Sequence, residues 1–206
     1  MGSTPAKKSG ALFEELLETL RSAITDFDCG TLCAPGNDGV PVCCQASSIV
    51  PVMYKAEYEL LRRRSELWGP YRPRSDGDRE MVADARACEV FAECKGHEHC
   101  ERENRSLACR TFPFEPYLDH DMQLMGLVWY YDLKNLCPLI ESKHHIRPDF
   151  IRECLSMWEK LFEGMPEELD YYHETSESLR RSFGQKQRKI PVHTRDGVRQ
   201  MPTSRR

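Results

Sequence analysis

Residues 88–116 read CEVFAECKGHEHCERENRSLACRTFPFEP and contain four of the ten cysteines of the chain. A second group of four lies upstream, with the spacing Cys29-x3-Cys33-x9-Cys43-Cys44. The upstream stretch is rich in Pro, Gly, Asn and Asp, which mark turns and leave little to pack. Four thiols in such a loop indicate that a metal orders it, and we predict that the two groups close on each other around metal.

The composition indicates a soluble, cytoplasmic protein. Charged residues make up 30% of the 206 residues, and no apolar run approaches the roughly 20 residues that a membrane span needs. Near the N-terminus, Glu14, Glu15 and Glu18 interrupt the apolar residues, so we expect no secretory signal. A reducing compartment disfavours structural disulfides. Metal ligation or redox chemistry is therefore the favoured role of the cysteines, and buried thiols acting as small hydrophobes are the alternative.

The charge is unevenly distributed along the chain. The formal net charge is -4, yet residues 180–206 carry nine Lys or Arg against one acid, Asp196, which gives +8 there and -12 elsewhere. Such a tail suits an acidic partner, whereas binding to nucleic acid is not favoured. We favour a tail that is solvated or docks on the acidic remainder of the same chain. The sequence names no particular partner.

Hydrophobic spacing predicts an α+β fold: a small, irregular cysteine-cluster domain with an N-terminal helix and a C-terminal helical pair. Helices are predicted over residues 12–27, 56–68 and 81–87, with strands over 49–53 and 122–132. The C-terminal helices run from Pro148 to Gly164 and from Pro166 to Gly184, before a hairpin around Asp196-Gly197. The expected organisation is a flexible leader (1–10), a metal-binding domain (11–140), a helical extension (141–185) and a basic tail (186–206).

Thiolates are soft ligands that select zinc, copper(I) or iron–sulfur centres. A closed zinc site needs four ligands, as does a 4Fe–4S cluster. The Cys-x2-Cys spacing of zinc fingers and ribbons is absent from the sequence, so the identity of the metal stays open. His97 and His99 flank Cys100 and could replace a thiolate, but we favour an exposed polar loop. The pair His144-His145 is predicted to lie at the surface.

The cysteine pattern resembles that of the CxxCxxCC cysteine-cluster family, a YkgJ-like zinc- or iron-chelating domain. The likeness covers about residues 29–137 and includes the run Cys109-Arg110-x-Phe112-Pro113, with Ser106 where the family prefers proline. Cys94 and Cys154 have no counterpart in the family and are interpreted as bystanders. The resemblance implies a metal-ligand set of eight: Cys29, Cys33, Cys43, Cys44, Cys88, Cys100, Cys109 and Cys137.

Two functions follow from this resemblance. In the first, the protein coordinates zinc or iron through its clustered cysteines as a binding or scaffold module. In the second, an iron–sulfur cluster serves a redox or methyl-transfer enzyme related to flagellin lysine N-methylase. The sequence has no Gly-rich loop between a strand and a helix that would bind a nucleotide, and it leaves enzymatic activity and catalytic residues undecided.

Overall fold

The computed structural model describes residues 5–45, 49–142 and 145–203, and these form an α+β fold. The helices are α1 (Pro5–Thr19), α2 (Gly30–Cys33), α3 (Lys55–Arg64), α4 (Asp76–Ala83), α5 (Leu107–Thr111), α6 (Pro148–Gly164) and α7 (Glu167–Gln185). The strands are β1 (Val52–Tyr54), β2 (Trp68–Pro70), β3 (Glu89–Cys94), β4 (Phe114–Leu118), β5 (Leu124–Trp129), β6 (Ile190–Thr194) and β7 (Gly197–Met201). Single-turn 3-10 helices form at Ala34–Gly36, Val42–Cys44, His97–His99, Arg102–Asn104 and Tyr131–Leu133.

The chain divides into two compact units. The first unit contains residues up to 17 together with 30–112, and the second contains residues 18–29 together with those from 113 onward. Strand pairing explains the division, because β4 and β5 form one sheet with β6 and β7 in the order β4-β5-β6-β7. Two segments of the predicted basic tail, β6 and β7, therefore belong to a sheet.

The first unit is built on a three-stranded antiparallel sheet with the order β1-β3-β2. Helix α3 follows β1 directly and buries Leu60 and Leu61. Strand β2 places Trp68 opposite Cys94 at the end of β3. The Trp68 side chain is 3% exposed, and its Nε1 donates to the carbonyl oxygen of Asn104 at 2.7 Å. This hydrogen bond fixes the 3-10 turn Arg102–Asn104 against the sheet.

The second unit packs α6 and α7 with the four-stranded sheet. Its core includes Phe114 stacked on Trp129, with ring centroids 4.1 Å apart, and the ring of His193 lies edge-on to both. Burial among these rings lowers the pKa of His193 to about 4. The histidine is therefore neutral at physiological pH and acts as part of the apolar core.

Residues 18–29 belong to this second unit. The partly buried carboxylate of Glu153 in α6 binds the start of this segment. Glu153 Oε2 accepts from the backbone N–H groups of Arg21 and Ser22 at 2.8 and 2.6 Å, and its Oε1 accepts from the Ser22 hydroxyl. Helix α1 has ended at Thr19 by this point. The predicted continuation of that helix to residue 27 is wrong, since these N–H groups bond to a side chain instead of to a helical carbonyl.

Several predicted elements are confirmed. Helices α6 and α7 start and end within two residues of their predicted limits, and β6 and β7 form the predicted hairpin about Asp196-Gly197. Helix α1 begins at Pro5, inside the predicted leader. Residues 1–4 of the leader, His144 of the histidine pair and residues 204–206 of the tail lie outside the described residues. Within the described ranges, none of the helices has the length and apolar character needed to cross a bilayer.

Candidate metal centre

We call four cysteines of the first unit the thiol cluster, because the charges of Cys100 and Cys44 raise the pKa of Cys94 and the charges of Cys44 and Cys94 raise the pKa of Cys109. Cys44 ends the 3-10 helix Val42–Cys44, and Cys94 is the last residue of β3. Cys100 directly follows the 3-10 helix His97–His99, and Cys109 lies in α5. The upstream and downstream cysteine groups thus each contribute to the cluster.

Cys94, which the sequence analysis interpreted as a bystander, lies at the end of β3. Its pKa is raised first by burial, an effect that the N–H of Gly96 opposes by donating to Cys94 Sγ at 3.4 Å. The negative charges that Cys100 and Cys44 carry when ionised raise it further. Cysteine spacing did not indicate this residue, because it lies at the end of strand β3 and not in a loop.

Cys109 combines two properties that point in opposite directions. The residue as a whole is exposed, yet desolvation, with a smaller contribution from the charges of Cys44, Cys94 and Glu57, raises the pKa of its thiol to about 11. An ion can therefore reach this thiol, and ionisation of the thiol needs a compensating cation.

Ser106 organises the helix that carries Cys109. Its hydroxyl accepts from the backbone N–H of Cys109 at 3.2 Å, which is a helix N-cap, and the residue is fully buried. The sequence places serine where the resemblance prefers proline. The cap stabilises the start of α5, because it satisfies a backbone donor that would otherwise be left without a partner.

Arg105 lies next to the thiols. Its Nε donates to Cys100 Sγ at 2.9 Å, and its guanidinium also interacts with the charges of Cys44 and Cys109. Burial acts to lower the pKa of Arg105, but the hydrogen bond and the thiolate charges outweigh it and raise that pKa above its usual value. A half-buried guanidinium beside four thiols favours their ionised forms.

The guanidinium of Arg110 donates to carbonyl oxygens, whereas that of Arg105 donates to a sulfur. Arg110 donates to the carbonyl oxygens of Leu17, Glu103 and Arg105, at 2.8, 2.5 and 3.0 Å. Burial lowers its pKa, and the nearby charge of Glu57 opposes that change. These contacts make it a clamp on the backbone around residues 103–105.

Glu57 connects the helix of Cys109 to the sheet. This carboxylate is 1% exposed and accepts from the N–H of Leu107 at 2.5 Å and from that of Tyr54 at 3.3 Å. It therefore serves the first turns of both α3 and α5. Burial raises its pKa to about 7, although both N–H donors and Arg110 act to lower it. The sequence gave no indication that Glu57 accepts these backbone hydrogen bonds, because it lies in a helix with many charged residues.

The other predicted ligands lie in several places. In the first unit, Cys33 Sγ accepts from Val42 N at 3.4 Å and donates to Gly30 O at 3.7 Å, while Cys43 is exposed and Cys88 precedes β3. Cys29 and Cys137 belong to the second unit. Cys154 is fully buried in α6 and has the predicted character of a small hydrophobe.

Across the described ranges, no three His, Cys, Asp or Glu side chains are close enough together to hold a metal ion. The sulfurs of the thiol cluster therefore do not form a coordination sphere in this structure. The cluster offers soft thiols that can ionise, next to the permanently charged guanidinium of Arg105. His97 and His99 lie in the 3-10 turn before Cys100, with His99 exposed, as the predicted polar loop requires.

Comparison of the chain with known protein families, with curated proteins and with solved structures finds no match. The resemblance to the CxxCxxCC family stays a prediction from cysteine spacing. The function is inferred below from the residues of the first unit.

Proposed function

We propose that the protein binds zinc or iron through clustered cysteines, with Cys44, Cys94, Cys100 and Cys109 as the ligands. The proposal is supported by the clustered spacing of the cysteines along the chain and by the contact of Cys100 Sγ with Arg105 Nε at 2.9 Å. Thiolates select soft or borderline ions, and four of them complete a closed zinc site. Of the eight predicted ligands, Cys44, Cys100 and Cys109 are retained in this set, and Cys94 is added.

Binding of the ion supplies what the thiols lack. Desolvation raises the pKa values of Cys94 and Cys109, so ionising them costs free energy unless a cation is close. A divalent ion bound there would supply that charge, and metal binding is commonly coupled to folding in this way. The proposal also includes a cytoplasmic location, supported by free thiols at Cys33, Cys94, Cys100, Cys109 and Cys154.

An iron–sulfur cluster is the second candidate centre, because four thiolates are also the ligand set of a 4Fe–4S cluster. Under that candidate the protein assists electron transfer or a redox reaction. The methyl-transfer reaction rests only on the resemblance to flagellin lysine N-methylase and stays a prediction.

Two arginines of the basic tail pair with acids of the same chain, since Arg195 donates twice to Glu159 and Arg188 donates to Glu141. These pairs favour self-docking over the acidic partner.

Elemental analysis separates the candidates. The full chain is purified without oxygen, and zinc, iron and acid-labile sulfide are measured per chain beside a visible spectrum. A colourless protein with one zinc per thiol cluster supports the first candidate, and a brown protein with stoichiometric sulfide supports the second. A protein that retains neither metal, and binds neither when it is supplied under reducing conditions, contradicts the proposal.

A further inference from the structure

We infer that the outer edge of β7 is a docking site for an extended, acidic segment of another protein, which adds to the sheet of the second unit as a further strand. In this mode of recognition, main-chain hydrogen bonds supply affinity and side chains supply specificity. The inference is independent of the proposed metal binding. It rests on an uncovered strand edge, on the backbone groups along that edge and on the charge of Arg199.

The two edges of this sheet differ. The strand order β4-β5-β6-β7 leaves β4 and β7 at the edges. Helix α7 covers part of the β4 edge, because Ser176 Oγ accepts from the N–H of Leu118 at 3.0 Å and Arg180 donates to the carbonyl oxygen of Leu118. Among the described residues, no further strand pairs with β7, and residues 197–200 are all exposed.

The register of the β6–β7 hairpin decides which backbone groups face outward. Thr194 pairs with Gly197 across a two-residue turn, and such a turn is closed by a hydrogen-bonded pair. Hydrogen-bonded pairs alternate along an antiparallel ladder with pairs that do not bond each other. Val198 and Gln200 lie in pairs of the second kind, so their N–H and C=O groups point away from β6.

Two residues of β6 agree with this direction. His193 lies opposite Val198 and pairs on its other side with Leu127 of β5, as expected for a residue whose backbone groups point away from β7. Pro191 lies opposite Gln200, a position that suits proline because no N–H is needed there. The outer edge of β7 therefore presents two N–H donors and two C=O acceptors at alternate residues.

The side chains of β7 indicate the chemistry of the partner. Val198 is 55% exposed, and an apolar, β-branched residue on the added strand would cover it. Arg199 contacts Asp196 at 3.1 Å, but both side chains are more than half exposed, so this pair contributes little and is easily exchanged. An acidic residue directly opposite Arg199 gains a favourable cross-strand pair.

A second copy of the chain suits this edge less well. Antiparallel pairing of two β7 strands through all of the outward groups places Val198 of each copy opposite Gln200 of the other. Arg199 then lies opposite the same arginine of the second copy, and like charges directly opposite each other are destabilising. An acidic segment avoids this repulsion. It also leaves the ion pairs of Arg188 and Arg195 intact, because strand addition uses the other side of β7.

The test is an NMR titration of the isotope-labelled full chain, under reducing conditions, with synthetic peptides blocked at both ends. The acidic peptide is Thr-Thr-Val-Glu-Val-Thr-Thr, and the basic peptide has lysine in place of the glutamate. A third peptide is the acidic one with both valines N-methylated, which removes the two N–H groups that would donate to β7.

We expect the acidic peptide to shift the amide signals of Val198 and Gln200, and to slow their hydrogen exchange, more than those of Gly197 and Arg199, which already bond β6. It should bind about 3- to 10-fold more tightly than the basic peptide, because a cross-strand attraction replaces a repulsion. The N-methylated peptide should lose binding.

Two variants test the role of the charge. Arg199→Glu should reverse the preference, so that the basic peptide binds more tightly than the acidic one. Arg181→Glu is the matched control, since it changes the net charge equally at an exposed position of α7 in the same unit, and it should keep the wild-type preference. The dispersion of the amide signals reports whether each variant is folded, and the comparison of peptides on the wild type needs neither variant.

Equal binding of the acidic and N-methylated peptides would show electrostatic attraction without strand addition and overturn the inference. Equal binding of the acidic and basic peptides overturns the role of Arg199. Shifts at Val198 and Gln200 that grow with protein concentration alone show pairing with a second copy and overturn the choice of partner. Absence of binding by all three peptides overturns the inference as a whole. The metal content of the protein is measured separately, so each of these failures leaves the proposed function intact.

Discussion

Glu57 shows how a single buried carboxylate couples the thiol-bearing helix to the rest of its unit. It accepts from N–H groups at the starts of α3 and α5, so the position of Cys109 depends on it. Burial nevertheless raises its pKa from 4.5 to about 7. The folded state therefore binds this proton more tightly than the unfolded state does. Between these two pH values, the free energy of unfolding should fall as pH rises.

The first prediction uses Glu57→Gln, which cannot ionise. The difference in unfolding free energy between wild type and variant should shift in favour of the variant by roughly 3 kcal/mol from pH 4.5 to pH 7, because each pKa unit corresponds to about 1.4 kcal/mol. Urea unfolding monitored by tryptophan fluorescence measures it. Glu59→Gln, on the exposed side of the same helix, is the matched control. A pH-independent difference between wild type and Glu57→Gln would contradict the assignment.

The second prediction compares two cysteines that the sequence treated alike. Cys94 interacts with other thiols of the cluster, whereas Cys154 is fully buried in α6. Cys94→Ser should lower the bound metal per chain and the melting temperature together, because metal binding and folding are linked. Cys154→Ala should lower stability by about 1 kcal/mol without changing metal content. Equal metal content in wild type and Cys94→Ser would remove this residue from the ligand set.

At the scale of elements, the sheet of the second unit depends on a close approach between β5 and β6. A Cβ atom at Gly126 would lie 2.5 Å from Val192 Cγ1 and 2.6 Å from the carbonyl oxygen of His193. The paired residues of these strands are Leu127 and His193. Glycine is therefore needed here because no side chain fits between the two strands.

The third prediction follows from that spacing. Gly126→Ala should destabilise the protein by about 1 to 3 kcal/mol, the usual cost of overpacking, and should alter the near-ultraviolet circular dichroism of the aromatic core around Trp129. Gly69→Ala is the control, since a Cβ at this strand position meets no atom within 4 Å. Its stability should stay within about 0.5 kcal/mol of wild type. Equal stability of Gly126→Ala and Gly69→Ala would contradict this prediction, because β6 would then have moved away from the added Cβ without a loss of stability.

The elements that the sequence predicted well are those with a long apolar stripe. Helix α6 buries Phe150, Ile151 and Leu155 as its spacing predicts. Strand β4 was missed because it contains Pro116, which usually argues against a strand. The proline is tolerated because β4 lies at the edge of its sheet. Strand β3 was missed because its residues were considered only as spacers between cysteines.

At the scale of the whole molecule, the sequence predicted the α+β class but not the division into units. The break between Phe112 and Pro113 depends on which strands pair, and long-range pairing has no local signal. The same limit applies to the candidate centre. Cysteine spacing predicted Cys44, Cys100 and Cys109 as ligands, whereas the position of Cys94 at the end of β3 and the contact of Arg105 with Cys100 depend on the three-dimensional fold.

X-ray absorption at the zinc and iron edges of the anaerobically purified protein tests the central claim most directly. Our account predicts a shell of four sulfurs around the bound ion, at about 2.3 Å for zinc, with fewer sulfurs in Cys94→Ser. For iron, it predicts sulfur ligation with neighbouring iron atoms, as in a cluster. A shell dominated by nitrogen or oxygen, or an unchanged shell in Cys94→Ser, would contradict it.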